Sequence, residues 1–110
     1  MKTIIIDLSN VRSKDEILKL FNDIFSFTIP PRTWDGFNDW FRNLDTDSAM
    51  YKREIPDEKD IHLILRNIHH VKKFSEEDYN ILIDLLFNAT DKGQRGDDVN
   101  LTFEVSNDYG

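Results

Sequence analysis

The sequence predicts an α/β domain, a small three-stranded parallel sheet packed with helices. Three observations carry that expectation. Short β-branched or apolar runs at 3–6, 61–65 and 99–105 read as strands. Segments with helical spacing and helix-start residues stand between them. Strands separated by helices favour parallel pairing through right-handed crossovers.

The elements follow in order. Thr3-Ile4-Ile5-Ile6 is a continuous apolar run, the pattern of a strand covered on both faces. Ser13-Lys14-Asp15-Glu16 has the form of a capping box, in which Ser13 takes an orphan amide and Glu16 reaches back. Ile17, Leu20, Phe21 and Ile24 then share one apolar stripe, so the first helix is expected over 14–25. Ile29-Pro30-Pro31-Arg32 interrupts the pattern, and Thr33 is placed to cap the next helix. Trp34, Phe37, Phe41 and Leu44 recur at helical spacing, predicting a second helix over 34–44. Residues 45–60 are polar without a clean period and read as a loop.

Ile61 to Leu65 is the second strand, nearly all apolar except His62. Residues 66–73, with His69, His70, Lys72 and Lys73, read as a basic connection. Ser75 before Glu76-Glu77-Asp78 is an N-cap with acids in the first turn, where the helix dipole favours them. Tyr79, Leu82, Ile83, Leu86 and Phe87 form the stripe of the last helix, with Gly93 as its stop. Gln94 to Asp98 is a polar turn. Val99, Leu101, Phe103 and Val105 alternate with polar residues, the period of a half-covered or edge strand. One domain over 1–106 is expected, with 107–110 a frayed tail.

Composition narrows function. The 110 residues hold 14 Lys and Arg against 21 Asp and Glu, a formal net charge of −7. A surface of that sign repels phosphate backbones, so direct nucleic-acid binding is not expected. No window reaches the ~20 consecutive apolar residues of a membrane span, and no secretory signal is recognisable. There are no cysteines, which excludes disulfides, thiol catalysis and cysteine-bound metal. A cytoplasmic location is the natural expectation. Eight Phe, three Tyr and two Trp distinguish the chain from disordered acidic proteins. The acidity concentrates at the C-terminal end: residues 76–110 hold nine acidic and two basic residues, while the rest of the chain is balanced. That end is either a solvated helix face and tail or a surface for a basic partner, which would speed association.

Few residues point to chemistry. Asp35 and Asp39 stand one turn apart on the second helix, beside Asn38 and Arg42. Like charges at that spacing oppose each other by a few tenths of a kcal/mol. An ordinary solvated face tolerates this, and the dipole favours Asp35 near the helix start. The functional alternative is a pair of fixed carboxylates offered to a cationic pocket. His69 and His70 are neighbours whose side chains diverge, and no metal-ligand spacing or phosphate-binding glycine loop occurs. No metal and no cofactor are expected. Trp34 and Trp40 read first as core. A binding protein is favoured over an enzyme.

A family resemblance adds to this reading. Val11-Arg12-Ser13-Lys14-Asp15-Glu16-Ile17 resembles the strand-to-helix entry of the barstar family, intracellular inhibitors of ribonucleases such as barnase. Trp34-Asp35-Gly36-Phe37-Asn38-Asp39-Trp40-Phe41 resembles that family's signature helix. The later strand, helix and strand fall in the family's order, so the likeness spans about residues 2–106.

The resemblance implies a one-to-one inhibitor that plugs a nuclease active site. It implies that Asp39 occupies a phosphate-binding pocket with Asp35 as its acidic partner. Thr33, Trp34, Asn38, Arg42 and Asn43 match neighbouring contact positions. Asn88 matches an acidic contact of the last helix if Gly93 aligns with the family's helix-ending glycine, and Asp84 or Asp91 takes that place otherwise. The family's loop before the signature helix often has an aromatic and a glycine. Here it is Phe27-Thr28-Ile29-Pro30-Pro31-Arg32, and Arg32 would repel a cationic site. Segments 45–60 and 94–98 also look longer than the family's minimum. The implied role is an immunity protein, protecting a bacterial cell from a particular nuclease toxin other than barnase. The alternatives are an acidic adaptor binding a basic protein through 76–110, and a small hydrolase using Asp35, Asp39 and a histidine.

Overall fold

The computed structural model describes residues 2–25, 30–42, 44 and 60–106. The chain runs β1 (Lys2–Asp7), α1 (Lys14–Phe25), α2 (Trp34–Phe41), β2 (Asp60–Arg66), α3 (His69–Phe74), α4 (Glu76–Thr90), a short 3-10 turn (Lys92–Gln94) and β3 (Asn100–Ser106). The three strands form one sheet in the order β1-β2-β3, and both pairings are parallel. This is the α/β architecture that the alternation of strands and helices predicts.

Register decides what each strand buries. Ile4 pairs with Leu63 and Ile6 with Leu65; Leu63 pairs with Phe103. Those residues share one face. Ile6, Ile61, Leu63, Leu65 and Leu101 on that face are buried with Ile17, Phe21 and Phe25 of α1, Phe37 and Phe41 of α2, and Leu82 and Leu86 of α4. Four of these phenylalanines make a ring cluster: Phe21 meets Phe37 at 4.9 Å and Phe41 at 5.7 Å, edge-on, and Phe25 meets Phe41 at 5.5 Å.

The expectation that Thr3–Ile6 is covered on both faces fails, because Ile5 is 56 % exposed. It shares its face with His62, Ile64, Thr102 and Glu104. His62 lies between two neighbours there, Nδ1 2.7 Å from the Thr102 hydroxyl and Nε2 2.9 Å from a Glu104 carboxylate oxygen. A continuous apolar run looks the same in one-sided and two-sided strands, and β-branched residues suit the pleat in either.

The helix starts match their predicted caps. Glu16 N–H donates to the Ser13 hydroxyl at 3.3 Å, and the Glu16 carboxylate accepts from the Arg12 amide at 2.6 Å. Asp78 N–H donates to the Ser75 hydroxyl at 3.1 Å. The helix ends differ. α2 stops at Phe41, not at 44, although Leu44 remains fully buried. A continuing helix would use the Phe41 carbonyl internally; here it accepts from the Arg95 guanidinium, and the Arg42 carbonyl accepts from Gly96 N–H at 2.9 Å. α4 stops at Thr90, three residues before Gly93, and Gly93 does not have a positive φ. Asp91, in extended backbone, ends it instead.

Two further expectations change. Part of the basic connection is a helix: α3 spans His69–Phe74, buries Val71 and carries Lys72 and Lys73 in its last turn, where the dipole favours cations. Phe87, assigned to a buried stripe, is 61 % exposed and lies edge-on to Phe103 at 5.3 Å. The buried stripe of α4 is Leu82, Leu85, Leu86 and Ala89, and Phe87 stands one residue around from it. Residues 45–59, expected as a loop, and 107–110, expected to fray, lie outside the described residues.

Candidate functional site: the carboxylate face of α2 beside α4

α2 is short, so its geometry depends on what holds its ends. At the N-terminus Thr33 is extended, and its hydroxyl accepts from Gly36 N–H at 3.0 Å. A Cβ on Gly36 would stand 3.3 Å from that hydroxyl, so glycine suits the closely packed cap. The half-buried Trp34 indole N–H donates to the Asp78 carboxylate at 3.1 Å, tying the start of α2 to the first turn of α4.

The other end is held by Arg95. One guanidinium nitrogen donates to the Phe41 carbonyl at 3.1 Å and to the Ala89 carbonyl at 2.7 Å. Both are last-turn carbonyls that α2 and α4 leave unsatisfied. The rest of the guanidinium forks onto Asp97, Nε at 2.7 Å and the second terminal nitrogen at 2.9 Å. The two side chains are 1 % and 5 % exposed. Arg95 therefore joins the C-terminal ends of both helices and complements their dipoles. α2 and α4 run side by side in the same direction, fastened at both ends.

On this platform Asp35 and Asp39 are exposed, one turn apart. Thr33 is exposed but committed to the cap. Asn38 is half-buried, and its Oδ1 has no partner among the described residues. Arg42 is half-buried, and its Nε donates to the Gln94 carbonyl at 2.7 Å, which draws it toward the turn after α4. Trp40 is half-buried against the core. Asn43 lies outside the described residues. Arg32 is exposed and borders an open groove of about 570 Å³ against α1, whose walls include Asp15 and Asp23.

Asp78 of α4 meets α2 through the Trp34 indole, and Ile81, Leu85 and Asn88 follow it at helical spacing. Asp84 and Asn88 are both exposed and stand one turn apart on α4. Asp91 is exposed, but one of its carboxylate oxygens accepts from Gly93 N–H at 2.9 Å and caps the 3-10 turn. Gly93 lies in the 3-10 turn beyond the end of α4 at Thr90. The histidines sit apart from α2: His62 on β2, His69 stacked on Tyr79 at 6.0 Å, and His70 donating from Nε2 to the Val11 carbonyl at 2.9 Å. No cluster of three or more metal-ligating side chains occurs among the described residues.

Residues 1–105 match the family model described as Barstar (barnase inhibitor). The chain belongs to the Barstar family. No curated protein and no solved structure matches it. The family's description is that of an inhibitor of a ribonuclease, which makes a nuclease the general class of partner. No helix among the described residues is long and apolar enough to cross a membrane.

Sequence reasoning missed Arg95 and Asp97. It read 94–98 as a polar turn. The available signal was an Arg–Gly–Asp sequence directly after a helix, since cations complement helix C-termini. Nothing local announces that the same Arg reaches a second helix more than fifty residues away in sequence.

Proposed function

We propose that this chain is an immunity protein that enters the active site of one cognate ribonuclease toxin, one to one, in the cytoplasm. Asp39 and Asp35 act as phosphate mimics. The observation that carries the reading is the pair of exposed carboxylates on a helix fastened at both ends to its neighbour. A ribonuclease site is cationic because it binds phosphates. Carboxylates already fixed in space lose little freedom on binding, and their bonds to Arg or Lys strengthen as water leaves. Asp84 and Asn88 extend the contact from the rim of α4, with Thr33, Trp34, Asn38, Arg42 and Asn43 around the centre. Asp91 contributes its remaining acceptor capacity. The protein performs no chemistry itself; it occupies the site.

The test mixes the full chain with its cognate nuclease, follows RNA cleavage and titrates the complex by calorimetry. A one-to-one complex that stops cleavage and weakens with added salt is expected. Asp39→Ala should cost about 2 kcal/mol or more of binding, at least ~30-fold in Kd. Its folding stability should move by no more than about 1 kcal/mol, the range for an exposed charge. Equal inhibition by the variant would remove Asp39 as the anchor. If charge reversal at Glu76 and Glu77 abolished binding while Asp39→Ala did not, the surface of 76–110 would be the contact and an adaptor role would replace the inhibitor reading.

A further inference from the structure

β3 is an edge strand: it pairs with β2 on one side, and no described strand pairs with its other side. Such an edge presents unpaired N–H and C=O groups, and proteins usually blunt it with Lys, Pro or a bulge. β3 has no Pro, Gly or Lys, and Glu104 is its one charged residue. An apolar patch lies along it. Phe87 is 61 % exposed, Val105 is 40 % exposed, and Phe103 is half-buried against the Phe87 ring. An exposed apolar patch continuous with an open edge marks an interaction surface.

We propose that β3 is the pairing edge of a twofold-symmetric homodimer, β3 against β3 antiparallel, with Phe103 on the dyad. The strand itself selects a second copy as occupant. Its apolar residues Leu101, Phe103 and Val105 are arranged symmetrically about Phe103. A dyad normal to the sheet keeps both helix layers on one side and sets Leu101 opposite Val105, Thr102 opposite Glu104, and Asn100 opposite Ser106. Opposed residues share a face. On the helix face every opposed pair is then apolar, with each Phe87 beside the seam. On the other face each Glu104 carboxylate meets a Thr102 hydroxyl, and no like charges oppose. A register centred on Glu104 would set the two carboxylates against each other. The opposite edge lacks such a patch: Ile5 is the one strongly exposed hydrophobic residue of β1. The dimer joins two three-stranded sheets into one and closes both exposed β3 edges.

Electrostatics separates this contact from the α2 face. Each copy carries −7, so the copies repel at long range while the seam is apolar and backbone-paired. Added salt screens that repulsion and should tighten the dimer, whereas it weakens a carboxylate-to-cation contact with a nuclease. The dimer does not rest on the inhibitor reading.

Sedimentation equilibrium of the full chain, from micromolar to millimolar concentration at low and high salt, tests it. The mass should rise from 13.0 kDa toward twice that value, and further at high salt. Thr102→Glu places a carboxylate opposite Glu104 in both halves of the seam and should weaken dimerisation about tenfold. Thr102→Lys should retain or tighten it. Both variants lose the same hydroxyl contact to His62, so their difference isolates the charge across the seam. Val105→Arg, at an exposed position, gives a second disruption should either Thr102 variant fold poorly. A mass fixed at 13.0 kDa under all conditions would overturn the proposal. Equal dimerisation of the two Thr102 variants would do the same. So would protection of β3 amides by added nuclease but not by raised protein concentration.

Discussion

Arg95→Ala is expected to unfasten the two-helix platform. The substitution removes donors from the Phe41 and Ala89 carbonyls and from both oxygens of Asp97. Asp97 is 5 % exposed, so its carboxylate is left buried without its cation. It keeps an acceptor bond from Val99 N–H at 3.2 Å, which offsets part of the loss. Breaking a buried pair in this way costs about 3–5 kcal/mol. The two orphaned carbonyls act in the same direction, and the C-terminal ends of α2 and α4 become free to fray. For a domain of this size, 1 kcal/mol corresponds to roughly 4 °C, so Tm should fall by about 12–20 °C. Urea denaturation of the wild type, Arg95→Ala, Asp97→Ala and the double variant measures the effect directly. Because both single variants break the same buried ion pair, the double variant should lose about 1–3 kcal/mol less than the two single losses added together. A loss under 1 kcal/mol for Arg95→Ala, or full additivity in the cycle, would refute the reasoning.

Three other outcomes follow from the same geometry. Trp34→Phe keeps the ring but removes the indole N–H from Asp78, so stability should drop by about 1 kcal/mol in denaturant titration. Its binding loss should exceed its stability loss if the tie at that end positions Asp35. Asn67 sits at φ 60 and donates to Asp7 at 3.0 Å. Asn67→Ala should therefore cost about 1–2 kcal/mol, and Asn67→Gly less, because glycine accepts that backbone without strain. The Asn67 side chain and the Ser9 amide hold the Asp7 carboxyl below its ordinary value. A carboxyl lowered in the folded state contributes stability above the unfolded pKa of about 3.9, and that contribution is lost as pH falls through the folded value. Asp7→Asn should flatten only that acid limb in a pH series of thermal melts, leaving neutral pH unchanged in slope.

The features that sequence patterns located are those whose causes lie within a few residues. Ser13 and Glu16, Thr33, and Ser75 mark helix starts because a cap bonds amides two or three positions away. Asp35 and Asp39 were readable as one face because helical spacing alone puts them one turn apart. The family match over residues 1–105 agrees with the order of elements that the sequence displays. Helix ends were read less well. α2 stops where the distant Arg95 side chain and Gly96 amide take its last carbonyls, and no residue near 41 encodes that, while α4 stops at the extended Asp91 rather than at Gly93.

By itself the sequence determined the α/β alternation, the acidic character, and a pair of carboxylates on one helix face. These depend on period, charge and nearest-neighbour chemistry, which the chain carries locally. Tertiary structure alone decided that Ile5 and Phe87 face outward, that residues 69–74 form a helix, and that Arg95 and Asp97 lie buried. It also decided that α2 is fastened to α4 at both ends. Each of these depends on which groups from distant segments meet. Burial and hydrogen-bond partnership belong to the packed assembly of elements, and local sequence holds only one half of every such contact.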